Sequence, residues 1–375
     1  MRNLVFFFLL LFSLVFYSCN SIDQSPLWIS GEDGYSIYRI PALVVSTKGT
    51  VIAFCEGRKD GKGDNGNIDM LVKRSSDNGS TWSEQQIIWD DSNNTCGNPC
   101  PVVDRKTGNI WLLMTWNRGD DSETQIINQE SKDTRRVFVT SSNDDGITWM
   151  EPREITSSVK PDSWTWYATG PGAGIQIEKG KYAGRLVIPC DHIEAATKHY
   201  YSHIIFSDDK GESWELGGST ADHQVNECQA VELSDDKLML NMRNYDRSIK
   251  KRQIAMSEDG GKSWQEQTFA SELIEPRCQA SLRRFSWPGA NSKDIILFSN
   301  PAHETERINM TIRASYDQGA SWPVSKTLEK GPSAYSDLAV LADKSIACLY
   351  ETGDESPYET ISFARFDLKW LESEQ

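Results

Sequence analysis

The sequence predicts an all-β fold, a six-bladed β-propeller whose last blade is closed by a strand from near the N-terminus. Three observations predict it. An eight-residue phrase, Ser-x-Asp-x-Gly-x-Thr/Ser-Trp, occurs five times, at residues 75–82, 142–149, 207–214, 257–264 and 315–322. Recurrence at intervals of roughly 50–67 residues marks a repeat architecture. Short β-rich runs surround each copy in the order of a four-stranded meander, the content of a propeller blade. Three further runs follow the last copy without a fourth, and the apolar run Leu27-Trp28-Ile29 near the start has no partner of its own.

Inside each phrase the Asp side chain bonds nearby backbone N–H groups, the Gly takes a positive φ, and the Trp offers an apolar plate to its surroundings. The phrase is therefore a rigid turn, a box between the third and fourth strands of a blade. The first blade reads as strands at 42–45, 51–55 and 68–73, then its box, then 86–89. The second has 102–103, 110–115 and 136–140; the third 174–177, 185–190 and 203–206; the fourth 230–233, 238–242 and 253–256. The fifth has 280–285, 295–299 and 310–314. Runs at 338–341, 345–350 and 361–366 make three strands of a last blade, which Leu27-Trp28-Ile29 completes, removing exposed edges.

A formal net charge of −15 argues against a nucleic-acid or anionic-membrane partner. Residues 1–18 read as a secretory signal of lipoprotein type, with Cys19 the lipidated first mature residue, although Phe16 stands where Leu is usual. Residues 19–26 then form a short linker and 27–375 the propeller domain. Export follows, to the periplasm or as an outer-membrane or cell-surface lipoprotein, with secretion the alternative. Cys55, Cys190 and Cys348 lie in apolar runs and read as buried; Cys96 and Cys100 are close enough to pair, though nothing requires it. No spacing suggests a metal site, and no cofactor is expected.

In a meander, the start of strand one and the end of strand two share one end of the blade, and the boxes lie at the other. The first end collects Arg39, Arg58, Asn98, Glu227, Arg243, Arg307, Tyr335 and Glu351. A single arginine is usually a surface or ion-pair residue. Arg39, Arg243 and Arg307, arriving from three separate blades, jointly predict a carboxylate or phosphate ligand. A phenol is a poor nucleophile until a neighbouring carboxylate takes its proton, the relation available to Tyr335 and Glu227. Asp64, in the stretch Gly61-Lys62-Gly63-Asp64-Asn65-Gly66, is either a general acid on a flexible loop or part of a solvated turn.

These residues resemble the bacterial exo-sialidases, glycoside hydrolases with a propeller fold and Asp boxes. The resemblance runs from about Leu27 to the C-terminus. It is carried by Tyr38-Arg39-Ile40-Pro41, the five boxes, Asn226-Glu227, Arg243, Arg307, Tyr335 and Glu351. It implies that Arg39, Arg243 and Arg307 clamp the carboxylate of a sialic acid and that Glu351 holds Arg39. Tyr335 would be the nucleophile, Glu227 its proton acceptor and Asp64 the acid/base, with Arg58 contacting the sugar. The carboxylate on the anomeric carbon would repel an anionic nucleophile, so a tyrosine replaces the usual carboxylate. Tyr167, with Trp164 and Trp166, is a candidate for the aglycone side, and Asp191, with His192, for the border of the N-acetyl or glycerol pocket.

The activity implied is retaining hydrolysis of terminal α-linked sialic acids on glycoproteins, glycolipids or oligosaccharides, by a monomer whose only membrane contact is the lipid anchor. A trans-sialidase, and a non-catalytic sialoglycan-binding lipoprotein, are the alternatives.

Overall fold

The computed structural model describes residues 22–290 and 292–373. The expected signal peptide and Cys19 lie outside the described residues. The chain is all-β, with the helical residues confined to short connections and one short helix (Leu368–Glu372) after the last strand. After β1 (Asp23–Ile29), a first meander comprises β2 (Ile37–Val45), β3 (Val51–Arg58), β4 (Ile68–Ser75) and β5 (Gln86–Trp89). The second comprises β6 (Thr95–Val103), β7 (Ile110–Asn117), β8 (Arg136–Ser142) and β9 (Arg153–Glu154), with helix α1 (Glu123–Asn128) between β7 and β8.

In the third, β10 (Trp164–Thr169) and β11 (Ile175–Gln176) both pair with β12 (Leu186–Glu194), and β13 (Tyr200–Ser207) and β14 (Glu215–Ser219) follow. Sequence placed this first strand at 174–177; its larger part comes earlier, before the turn that holds Gly170 and Pro171. A four-stranded sheet follows from β15 (Val225–Glu232), β16 (Leu238–Asn244), β17 (Lys251–Ser257) and β18 (Gln265–Ile274). Then come β19 (Ser281–Ser286), β20 (Ile295–Pro301), β21 (Ile308–Ser315), β22 (Val324–Val340), β23 (Ile346–Thr352) and β24 (Thr360–Phe366). The long β22 pairs with β21 along its first part and with β23 along its second. β1 pairs antiparallel with β24, from Asp23 opposite Arg365 to Ile29 opposite Thr360. The strand takes in Asp23–Pro26, residues expected to be linker, because their backbone completes the ladder along the edge of β24.

All five boxes fold alike. In the first, Ser75 Oγ donates to Asp77 Oδ1 at 2.7 Å and accepts from Gly79 N at 2.8 Å, while Thr81 donates N–H and hydroxyl to the two oxygens of Asp77. The glycine is required twice over. Gly79 has φ 88°, and a Cβ there would lie 2.1 Å from the ring of Phe363 on β24. Gly211 likewise would meet Trp111 at 2.2 Å. The box tryptophans pack across the same seams: Trp82 meets Phe363 edge-on at 5.1 Å, and Trp149 meets Phe54 of the preceding meander at 5.6 Å. The box is thus both a turn and the contact that joins one meander to the one before it.

The opposite ends of the innermost strands share another repeated device. Register slips between Arg39 and Ala42, Gly97 and Cys100, Trp164 and Tyr167, Val225 and Cys228, and Ser333 and Ser336. In each slip three steps on the inner strand oppose two on its neighbour, which is a β-bulge, the device that re-aims side chains at strand ends. The extra residues are Ile40-Pro41, Asn98-Pro99, Thr165-Trp166, Asn226-Glu227 and Ala334-Tyr335. Between the paired positions opposite them stand Cys55, Met114, Ile193, Arg243 and Glu351. A cavity of about 770 Å³ opens at the box ends of the inner strands, lined by Val45, Val103, Gln176, Glu232, Arg284 and Val340. None of the predicted site residues lines it.

Candidate active site

The bulges bring the predicted residues together. Glu351 stands opposite the Ala334-Tyr335 bulge and is fully buried. One of its oxygens accepts from Arg39 Nε at 3.0 Å and from Ile40 N at 2.9 Å; the other accepts from Arg39 Nη2 at 3.3 Å and from Tyr335 N at 3.1 Å. One carboxylate therefore fixes a guanidinium and the backbones of two bulges. Ile40 has φ 61°, a left-handed conformation unusual for a β-branched residue. Its strain is held by this bond and by packing against Ala334, Tyr335 and Cys278.

Tyr335 and Glu227 occupy equivalent second positions of their bulges, and Arg243 stands opposite the bulge of Glu227. The Tyr335 hydroxyl donates to Glu227 Oε1 at 2.5 Å. Arg243 Nη1 donates to Glu227 Oε2 at 2.5 Å and to the Tyr335 oxygen at 3.0 Å. Burial, then the charge of Glu227, holds the phenol well above its usual pKa, and Arg243, Arg307 and Arg39 pull it back down. The guanidinium carbons of Arg39 and Arg307 lie 4.9 and 5.5 Å from the centre of the Tyr335 ring. The three arginines surround one phenol.

Their charges are not equally compensated. Arg39 has Glu351 and Arg243 has Glu227, but Arg307 donates to the Tyr358 hydroxyl at 2.7 Å and to a backbone carbonyl, and among the described residues it has no carboxylate partner. An anion entering between them meets uncancelled positive charge. Asp64 stands at the rim with its side chain 56% exposed, 2.8 Å from Arg58 Nη1 and 3.8 Å from Arg39 Nη1. Burial raises its pKa, but the charges of Arg58 and Arg39 outweigh this and hold the carboxyl below the usual range. Arg58 is itself held by Glu56 at 2.6 Å and by the carbonyls of Lys62 and Gly63, so it anchors the glycine-rich loop.

Two predicted residues are not part of this surface. Tyr167 is fully buried in a core with Cys100, Cys190 and Trp214. It is the first paired residue after the bulge, so its side chain enters the core while Trp166, inside the bulge, lies under the Arg135 guanidinium at 4.2 Å. Asp191 lies two pairs along from the bulge and is 1% exposed; burial, then the charge of Glu227, pushes its carboxyl well above the usual range. His192 stacks on Trp164 with ring centres 3.4 Å apart and is equally buried. All seven described cysteines are free and buried, Cys96 and Cys100 among them.

The site also holds residues not singled out from sequence. Glu123, at the start of α1, has its carboxyl raised by burial and by the charge of Asp64. Its signal was available as the capping box Ser122-x-x-Gln125, which starts the helix. Arg135 and Tyr358 carried no signal, because each acts through partners distant in sequence.

Comparison with known proteins gives the family. Residues 49–348 match the BNR repeat-like domain. A sialidase of Micromonospora viridifaciens is 34% identical over 359 residues, 93% of this chain and 54% of that protein. An exo-alpha-sialidase of Aspergillus fumigatus is 30% identical over 381 residues, covering 92% of this chain and 88% of that protein. The solved structure of a Hadza microbial sialidase, 33% identical, matches with a TM-score of 0.82 over 91% of this chain and 68% of that one. The chain spans about half the length of the Micromonospora protein.

Proposed function

The chain belongs to the sialidase family, with BNR repeats, and we propose that it is an exo-α-sialidase that removes terminal sialic acids with retention of anomeric configuration. The observation that carries the reading is the 2.5 Å bond from Tyr335 to Glu227 within a ring of three arginines. Arg39, Arg243 and Arg307 take the substrate carboxylate, Arg307 contributing the least compensated charge. The Tyr335 oxygen attacks the anomeric carbon as its proton passes to Glu227, and Asp64 protonates the leaving glycosidic oxygen. Water, deprotonated by Asp64, then attacks the same carbon, and Tyr335 departs with the proton returned by Glu227. Two inversions give net retention.

Asp64 must enter the first step protonated, although in the free protein two arginines hold it ionised. The incoming carboxylate cancels the charge of Arg39, and the sugar covers the exposed face of Asp64; both changes raise its pKa. Arg58 contacts the sugar beside it.

For the fold, the reading is a six-bladed propeller closed by β1 on β24, supported by the repeated meander and by that pairing. The signal peptide, the lipidated Cys19, export and a monomeric state remain part of the proposal on the sequence pattern alone. Product analysis by NMR with 3′-sialyllactose tests the activity. Release of free sialic acid, first as the α-anomer, is the expected result. Transfer to a second sugar or an anhydro product would replace the hydrolase reading with a transferase, and no turnover would reject both.

A further inference from the structure

Asn98 stands in the second bulge, at the position Ile40 holds in the first, with φ 55°. Nearly every polar group it owns is tied to protein. Its N–H donates to Glu56 Oε1 at 2.7 Å, its carbonyl accepts from Thr169 Oγ1 at 2.6 Å, and its Oδ1 accepts from Thr115 Oγ1 at 2.9 Å and from Arg135 Nη2. Among the described residues only Nδ2 has no protein partner. The Glu56 that receives its N–H also holds Arg58, which pairs with Asp64, so two side chains link Asn98 to the proposed acid.

An asparagine amide is nearly symmetric in shape, and which end faces a pocket depends on its partners. Arg135 decides the matter here because a guanidinium has donors only. It is buried, its other nitrogens donate to Asn117 Oδ1 and to the Tyr167 carbonyl, and its face lies on Trp166. It cannot turn away, and it cannot accept from an amide NH₂. Burial lowers the pKa of this guanidinium to about 10, which leaves it charged at neutral pH. The Asn98 oxygen is therefore held inside and the NH₂ outward.

We propose that Arg135 is a positioning residue: without touching substrate, it orients Asn98 so that its NH₂ presents a fixed donor to an oxygen acceptor of the ligand. This rests on the sialidase reading for the identity of that ligand, but the coupling of the two side chains does not. Arg135→Met and Asn98→Ala should each raise KM for 3′-sialyllactose about tenfold, the value of one oriented hydrogen bond, with a much smaller change in kcat. The double variant should lose no more than the worse single one. Arg135→Lys keeps a charge but cannot hold Asn98, Asn117 and the carbonyl together, so it should behave as Arg135→Met in KM while keeping more of the thermal midpoint. Multiplicative losses near a hundredfold, or an unchanged KM in Arg135→Met, would overturn the inference. If the wild-type protein does not turn over sialosides, the reading of function fails instead, and the thermal midpoints of the same cycle decide the coupling. Non-additive shifts support it and additive shifts overturn it.

Discussion

The two ends of each meander use repetition in opposite ways. At the box end the backbone and the side chains both recur: the same Ser, Asp and Gly make the same bonds five times, and the Trp seals the seam to the preceding meander. At the other end only the backbone recurs. The same bulge appears in five inner strands but carries Ile40-Pro41, Asn98-Pro99, Thr165-Trp166, Asn226-Glu227 or Ala334-Tyr335. Uniform side chains on a uniform backbone yield a joint. Varied side chains on a uniform backbone yield a site, because each bulge aims a different group at a common centre.

The sharpest separation of the two ends is Tyr335→Phe, which should lower kcat by roughly 10³-fold or more while leaving thermal stability and binding of a sialic acid analogue measurable. Retained turnover would show that the nucleophile lies elsewhere. Glu351→Ala should blur the distinction, since that carboxylate serves both chemistry and fold. Loss of a buried partner for Arg39 and two N–H groups is expected to cost about 3–5 kcal/mol, read by denaturant unfolding. A variant of near wild-type stability would contradict the bonds described for Glu351. Arg307→Ala tests the site end alone: affinity for a sialic acid analogue should fall about a hundredfold by calorimetry with little change in unfolding, because this arginine has no carboxylate to strand among the described residues.

At the box end, Gly79→Ala should cost about 1–3 kcal/mol, through strain at positive φ and the clash with Phe363, with kcat unchanged in the folded fraction. A large drop in kcat at full folding would couple the two ends more tightly than their packing implies. The smallest effect concerns acid. Hydrogen bonds from Thr81 and Thr148 depress Asp77 and Asp144 to about 2, below an ordinary value of about 3.9. A depressed folded-state pKa contributes stability above about pH 4 that is lost as pH falls toward 2. Thermal midpoints recorded from pH 5 to 2 should decline across that window, and Asp144→Asn should flatten the decline.

Much of this contrast is legible in the residues themselves. The boxes declare a register, and the register puts Arg39, Arg243, Tyr335 and Glu351 at one end because strand order alone decides which end a residue occupies. The bulges are less visible. Pro41 and Pro99 hint at two of them, since proline inside a strand is confined to bulges and edges. The other three contain nothing that marks an extra residue. The slip accounts for where Tyr167 lies: one residue of register exchanges one face of the strand for the other, so Tyr167 enters the core while Trp166 lies under Arg135. Asp191 was placed by strand end, which carries no information about depth, and the structure buries it. Arg135 and its hold on Asn98 depend on side chains meeting across separate strands, which no local pattern encodes.

The pairing of β1 with β24 bears on how the chain reaches this state. It joins residues 23–29 to residues 360–365, almost the full length of the described chain, so its loop-closure entropy is paid late and its formation belongs among the slow steps of folding. Until then β24 offers an open edge, and Trp28, Phe363 and the first box lack part of their shared core. Assembly time and the risk of sticking to a second chain are therefore concentrated at this one seam.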